Sequence, residues 1–456
     1  NEDILYYNNL FSLFNSKKEF NLDSVEKTKC LQSIYDAMND LNKDCKDYKQ
    51  RLKMLADLKL MLTDNLMKKD IKDIGRYYNI KIDFDEEVLD ELKMYQTTYS
   101  KLVYPDRKII GNDSMIITID GNNAKEIDDA LSVKVLPNGN YLLGIHIATV
   151  LGYLPYKSKI VQEAITRGTT IYLSENNIVQ TDKDNYKSII PILPYQFSAI
   201  DASLIENEPR LANSYFFEID RDGNTVNESF QKTIITNSKQ CTYSKINKIF
   251  NEGGASKNRE LAETVNLLGE VSNALERRFH PTRIYETVKK QSNNPADLIL
   301  GSSTSEKIVS NAMILLGSEV ANWFKDEKRD YPLLLRVHEI NDDCNQELQE
   351  VISNFDFKAD QEKFNYLFDS LLGIYPSGRY DTKGRHDGLG LENYAHCSSV
   401  LRRSADIVNE HALDVCYFNN PTDKDLYTLE EDIIRNKNII NAQNNAINYF
   451  LDDFKL

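Results

Sequence analysis

The sequence predicts an α+β fold, a mixed sheet with packed helices preceded by an all-helical N-terminal domain. Three observations carry this. Before about residue 105 there is no proline and a single glycine, Gly75, and apolar residues recur at three- and four-residue spacing. After Pro105, short runs rich in Ile, Val and Leu are bounded by Asn, Gly and Asp, the pattern of strands. Beyond about residue 260 helical spacing returns. At 456 residues the chain is too long for one ordinary domain. The change of texture sets the expected division at 1–104 and 105–456.

In chain order, Ser24–Asn42 and Cys45–Leu66 are the clearest amphipathic helices of the first part. Leu31, Ile34, Tyr35 and Met38 line one, and Leu52, Leu55, Leu58 and Leu62 line the other. Asp23 and Ser24 can cap the free N–H groups at the start of the first. Met115–Asp120 and Tyr141–Val150 are expected strands, with a turn at Pro137–Gly139 between them. Thr169–Leu173 and Tyr215–Ile219 follow as strands, and Asp222-Gly223-Asn224 reads as a hairpin turn. Leu261–Arg278, Lys307–Phe324, Arg403–Cys416 and Leu429–Phe454 carry helical spacing.

Composition narrows the function. With 55 basic and 70 acidic residues the net charge is −15, which excludes a protein that coats polyanions generally. It leaves open a nucleic-acid enzyme whose basic residues line one channel. No apolar run approaches the ~20 residues of a membrane span, so no membrane association is expected. The first fourteen residues lack the features of a signal peptide. The six cysteines are scattered without a C-x-x-C pair, which argues against a zinc ribbon or a disulfide framework and for a reducing, intracellular compartment.

The chemistry concentrates in Thr118–Leu131, where Asp120, Glu126, Asp128 and Asp129 place four carboxylates within ten residues. Like charges this close push one another towards protonation unless a cation intervenes. Carboxylate oxygens suit Mg²⁺ or Mn²⁺, and a pair of such ions can activate water for phosphodiester hydrolysis. A solvated acidic turn is the bland alternative, and spacing alone does not decide between them. The run is not an EF-hand, because its Gly and final Glu positions do not fit. His146, within an apolar strand, reads as a satisfied interior residue, and Trp323 as core or interface.

The wider pattern decides more. Thr118–Leu131 followed by Gly144-Ile145-His146-Ile147-Ala148 resembles the catalytic signature of the ribonuclease II/R family, the RNB domain. Further pieces occur in that family's order: Arg167–Leu173, Ile190–Pro194, Leu335–Glu339, His386–Leu391 and Tyr394–Arg403. The resemblance covers roughly residues 115–456 and implies an RNB-type catalytic domain. It also implies metal-dependent 3′→5′ hydrolysis of single-stranded RNA to nucleoside 5′-monophosphates. Asp120, Glu126, Asp128 and Asp129 match the family's Mg²⁺-holding acids, although the family usually has Asp where Glu126 stands. Arg402 matches the arginine that steadies the scissile phosphate, a role suited to a planar, permanently charged fork. Tyr172 and Tyr243 match the aromatics that stack on terminal bases. Arg403, and Arg385 in a glycine-rich basic loop, are expected along the RNA path.

The chain also departs from the family pattern. Val400 replaces a proline, Gly317 a helix asparagine, and Ser310 and Gln443 stand where carboxylates are usual. No C-terminal oligonucleotide-binding barrel is expected, and a helical domain is expected where the family has its N-terminal ones. Single-stranded RNA is the expected partner, with delivery by a helicase or other RNA-delivering protein docked on residues 1–104. The alternative is a catalytically degenerate RNB-fold subunit that binds RNA or scaffolds a larger ribonucleoprotein or viral assembly.

Overall fold

The computed structural model of the protein describes residues 78–99, 104–111, 113–173, 179–181, 185–187, 189–251, 258–279, 304–326, 329–339 and 378–454. The helical patterns expected at Ser24–Asn42 and Cys45–Leu66 lie outside the described residues. The chain divides into two compact units. The larger is Asp85–Thr170 with Pro191–Ala442, and the smaller is Asn1–Phe84 with Ile171–Ile190 and Gln443–Leu456.

The larger unit is built on a seven-stranded mixed sheet in the order β1-β10-β9-β4-β3-β2-β11. Its strands are β1 (Lys108–Ile109), β2 (Ile117–Asp120), β3 (Asp129–Val135), β4 (Tyr141–Ala148), β9 (Pro209–Ile219), β10 (Thr225–Thr236) and β11 (Lys239–Thr242). The two outer pairs, β1 with β10 and β11 with β2, run parallel, and the pairs between them are antiparallel. Strands β4 and β9 lie at the centre and are buried along most of their length, with Asn213 and Ser214 among the buried residues of β9.

The expected turn after β3 forms as Gly139 takes φ +85°, and the β9–β10 hairpin closes at Gly223 with φ +93°. A Cβ at Gly223 would lie 2.3 Å from the Ala274 carbonyl oxygen, so glycine is required there for space as well as for conformation. Strand β10 carries Asn227, Glu228, Gln231 and Lys232 and has no apolar run, which is why the sequence pattern does not mark it. Eleven residue pairs with β9 hold it in the sheet.

Helices cover the sheet. They are α1 (Glu86–Tyr99), α2 (Lys159–Arg167), α3 (Tyr243–Asn251), α4 (Arg259–Phe279), α5 (Thr304–Phe324), α6 (Ser404–Leu413) and α7 (Asp423–Phe454). Helix α4 packs on β3, α5 on α4, and α6 on α2. The four helical patterns expected after residue 260 thus appear as α4, α5, α6 and α7.

Helix α1 lies on the N-terminal side of the compositional seam yet belongs to the larger unit. Val88 and Leu92 are buried, and Gln96 Nε2 and the Tyr99 hydroxyl both donate to Asp201 Oδ2 at 2.6 Å. In the smaller unit, β5 (Ile171–Tyr172) pairs with β8 (Ile189–Ile190), and β6 (Val179–Thr181) with β7 (Asn185–Lys187). Ile80, Ile82, Ile171, Leu173, Ile190, Ile447 and Phe450 form its apolar cluster.

Two buried polar groups lock the centre of the sheet. His146 sits between Ser132 Oγ at 2.9 Å and Ser214 Oγ at 2.7 Å, the satisfied interior residue expected from the sequence. Glu410 on α6 accepts from Thr149 Oγ1, from the Val150 and Leu151 backbone N–H groups, and from Asn213 Nδ2, tying the helix to β4 and β9. Burial pushes the Glu410 carboxyl up to about 7, against the pull of those donors.

Between its ordinary value near 4.5 and about 7, the folded chain holds a proton that the unfolded chain has released. Stability therefore falls as pH rises through this window and the loss levels off above it. Glu410→Gln should flatten that fall by one group's share, on the order of 3 kcal/mol. Thermal midpoints measured from pH 4.5 to 8 check this, and an unchanged slope would sink it.

Candidate active site

Asp120 ends β2 and Asp129 opens β3, so the strand pair brings both to one end of the sheet. The loop between them is pinned along its length. Ala124 N donates to Gly121 O at 3.1 Å, Ile127 N to Ser203 Oγ at 2.9 Å, and Ala148 N to Asp128 O at 2.7 Å. Strand β11 runs parallel to β2 with Thr242 opposite Asp120, which sets Tyr243, the first residue of α3, beside the acids.

The basic half of the site comes from almost 300 residues away. Leu401 N donates to Asp128 Oδ1 at 2.8 Å, and Arg402 Nε lies 3.3 Å from Asp128 Oδ2. Arg402 Nη2 also donates to Ser399 Oγ at 2.8 Å. Backbone contacts hold this segment: Thr170 N donates to Arg402 O at 2.9 Å, and Ser404 donates to Gly168 O through N at 2.9 Å and through Oγ at 2.6 Å.

The electrostatics match crowded carboxylates. Burial pushes Asp120 and Asp128 up to about 7, with the Arg402 guanidinium pulling both back. Asp129 is raised well above the usual carboxylate range, by burial and then by Asp120 and Asp128. Glu126 adds its charge against Asp128. Tyr243 is pushed up to about 12 by burial and by the Asp129 and Asp120 carboxylates.

Asp120 Oδ2 is buried and has no hydrogen-bond partner, and such an orphaned oxygen is costly unless a cation or donor meets it. Among the described residues no three Asp, Glu, His or Cys side chains converge as a closed ligand set, and the oxygens of Asp128 meet the Leu401 N–H and the Arg402 guanidinium. In donor chemistry the site nevertheless fits a hard divalent cation: carboxylate oxygens, excess negative charge and one unmet oxygen.

The sequence model of the RNB domain matches residues 110–418, more than half of the chain. The chain belongs to the RNB domain family. Among the curated relatives of this RNB chain, ribonuclease R of Thermotoga maritima is 31% identical over 301 residues, which is 63% of this chain and 39% of the relative. Ribonuclease R 2 of Lactococcus lactis is 26% identical over 398 residues, covering 79% of this chain and 56% of the relative. The chain thus spans between two fifths and three fifths of these relatives' lengths. Among solved structures, apo RNase R of Mycoplasma genitalium superimposes with a TM-score of 0.67 over 84% of this chain at 19% identity. Yeast Ssd1, a pseudonuclease, superimposes with a TM-score of 0.56 over 81% at 17% identity. At these identities the likeness speaks for the RNB fold, a mixed sheet with packed helices, and that is the fold present.

The remaining expected residues of the RNB site fall in different places. Arg403 is tied to Asp406 Oδ1 at 2.9 Å and to Ser398 Oγ at 3.3 Å, so it serves the segment that carries Arg402. Arg385 Nε donates to Asp387 Oδ1 at 2.6 Å. Tyr172 belongs to the smaller unit, on β5, and is 52% exposed. Gln443 lies on α7 in that same unit. Ser310 is exposed on α5, its hydroxyl turned back to Lys307 O at 3.3 Å. Val400 is buried.

Gly317 has a physical reason. A Cβ there would lie 2.4 Å from Ala395 O and 2.5 Å from the Tyr394 ring, so only glycine lets this stretch cross α5. The Leu401 N–H, Ser399 and Asp406 escaped the reading of the sequence. A backbone donor leaves no mark in residue identity, and the partners are joined only by the fold.

Proposed function

We propose that this chain is a metal-dependent hydrolase that shortens single-stranded RNA from its 3′ end and releases nucleoside 5′-monophosphates. The observation that carries the reading is the meeting of Asp120, Asp128 and Asp129 with the Arg402 guanidinium at one end of the sheet. Asp120, Asp128 and Asp129, with Glu126 beside them, are the side chains that would hold Mg²⁺ or Mn²⁺. A divalent cation bound there supplies Lewis acidity towards the phosphodiester and makes water a stronger nucleophile at neutral pH.

The chain's own groups supply the rest. Arg402 presents a fork that fits two phosphate oxygens and stabilises charge as it builds in the transition state. The Leu401 N–H fixes the rotamer of Asp128. Tyr243, partly exposed beside the acids, offers a ring face to the terminal base, a contact that tolerates any sequence. Tyr172 is the second stacking candidate. Residues 1–84, the part of the expected N-terminal segment outside the larger unit, are the proposed adaptor segment.

The test is end-labelled single-stranded RNA with Mg²⁺ or Mn²⁺. A ladder of shortened products and mononucleotides is expected, abolished by EDTA and restored by excess cation. Tight binding without shortening under both ions would overturn the hydrolase and leave the degenerate RNA-binding subunit.

A further inference from the structure

We infer that Asp406 is a positioning residue of this centre, holding the turn at residues 399–403 in the shape that delivers the Leu401 N–H and the Arg402 guanidinium to Asp128. The inference rests on the hydrolase reading for its catalytic consequence, but its geometry stands apart from that reading. Asp406 sits in the first turn of α6 with 0% of its surface exposed. Its Oδ1 accepts from Ser399 N at 2.7 Å and from Arg403 Nη2 at 2.9 Å, so one oxygen clasps both ends of the turn. Inside the turn, Arg402 N and Arg403 N both donate to Ser399 O, at 3.3 and 2.9 Å. Ser399 Oγ then receives Arg402 Nη2 at 2.8 Å, which aims the guanidinium at Asp128.

An acid in the first turn of a helix ordinarily serves that helix's own free N–H groups or its dipole. Here both hydrogen bonds reach back to residues that precede the helix. The other oxygen, Oδ2, is buried and has no hydrogen-bond partner. A buried carboxylate oxygen without a partner carries a desolvation cost that the Arg403 pairing at the other oxygen only partly offsets. What a carboxylate does at this position, and an apolar group cannot, is accept from both ends of the turn.

The experiment is a double-variant cycle on the full chain, using a 5′-fluorescent oligoribonucleotide with Mn²⁺. Asp406→Ala, which removes the acceptor, should lower kcat by about 10- to 100-fold with KM within threefold, as expected when a catalytic group is displaced by about an ångström. Combined with Arg402→Ala, its effect should shrink to the smaller part carried by the displaced Leu401 N–H, so the double variant falls well short of the product of the two losses. A merely structural acid would give losses that multiply, and that result overturns the inference. Asp406→Asn, which keeps one acceptor oxygen, should recover part of that loss, and it repeats the cycle if Asp406→Ala does not fold. Independently of activity, hydrogen exchange at residues 399–403 should rise at least about tenfold in Asp406→Ala, with β4 and β9 unchanged. Unchanged exchange overturns the positioning role, whereas an inactive unaltered chain overturns only the hydrolase reading.

Discussion

Asp128→Asn will release mononucleotides at least about a thousandfold more slowly than the unaltered chain, a loss on the order of 4 kcal/mol in the barrier. Binding of single-stranded RNA should stay within a few-fold. The substitution keeps the side chain's shape and one carbonyl oxygen, which can still accept from Leu401 N. It removes the charge that pairs with Arg402 and that a divalent cation would require. Because burial already works against the charged form of Asp128, the neutral amide should fold as well as the acid or better. A thermal midpoint that holds or rises while turnover collapses separates lost chemistry from lost structure. Turnover within tenfold of the unaltered chain would remove Asp128 from the reaction.

Arg402→Ala is the second large effect, a fall in kcat of about 10²–10³ with a much smaller change in KM. The reason is that a guanidinium acts most where charge develops, and less on the bound ground state. Arg402→Lys should recover less than about a tenth of the loss, since an ammonium keeps the charge but not the two-pronged match to phosphate oxygens. Single-turnover rates at saturating RNA, with anisotropy for affinity, read both quantities. An equal rise in KM with kcat intact would make Arg402 a grip on the RNA and not a participant in the step. Removal of Arg402 also leaves Asp128 without its counter-charge, so the alanine variant should lose stability where that acid is ionised.

Much of the fold was legible because its elements carry their own periodicity. The apolar runs at β2 and β4, the Asp222–Asn224 turn and the four helices after residue 260 all lie where local pattern sets them. Strand β10 was hidden because its polar residues gain their place from ladder bonds to β9, a partner interaction with no trace in the strand's own composition. The placement of α1 with the sheet rests on long-range bonds to Asp201, which a compositional seam cannot register. At the site, the four acids stood out as neighbours in sequence and Arg402 through a motif. Arg403 was expected on the RNA path, whereas its guanidinium is engaged with Asp406, a contact set by the tight turn before α6.

The sequence by itself determined which chemistry is present: carboxylates within ten residues, an arginine in a recognisable motif, and the strands and helices that carry them. Tertiary structure alone decided how they meet. It set Asp128 between a backbone N–H and a guanidinium drawn from residues 401 and 402, and left Asp120 with a buried oxygen unmet. It also made Gly317 the gap through which Tyr394 and Ala395 pass. The physical reason is that local pattern reports what each residue prefers to bury or expose. Rotamers, counter-charges and shifted acidities depend on neighbours brought together by chain closure over almost 300 residues, and those neighbours exist only once the chain has folded.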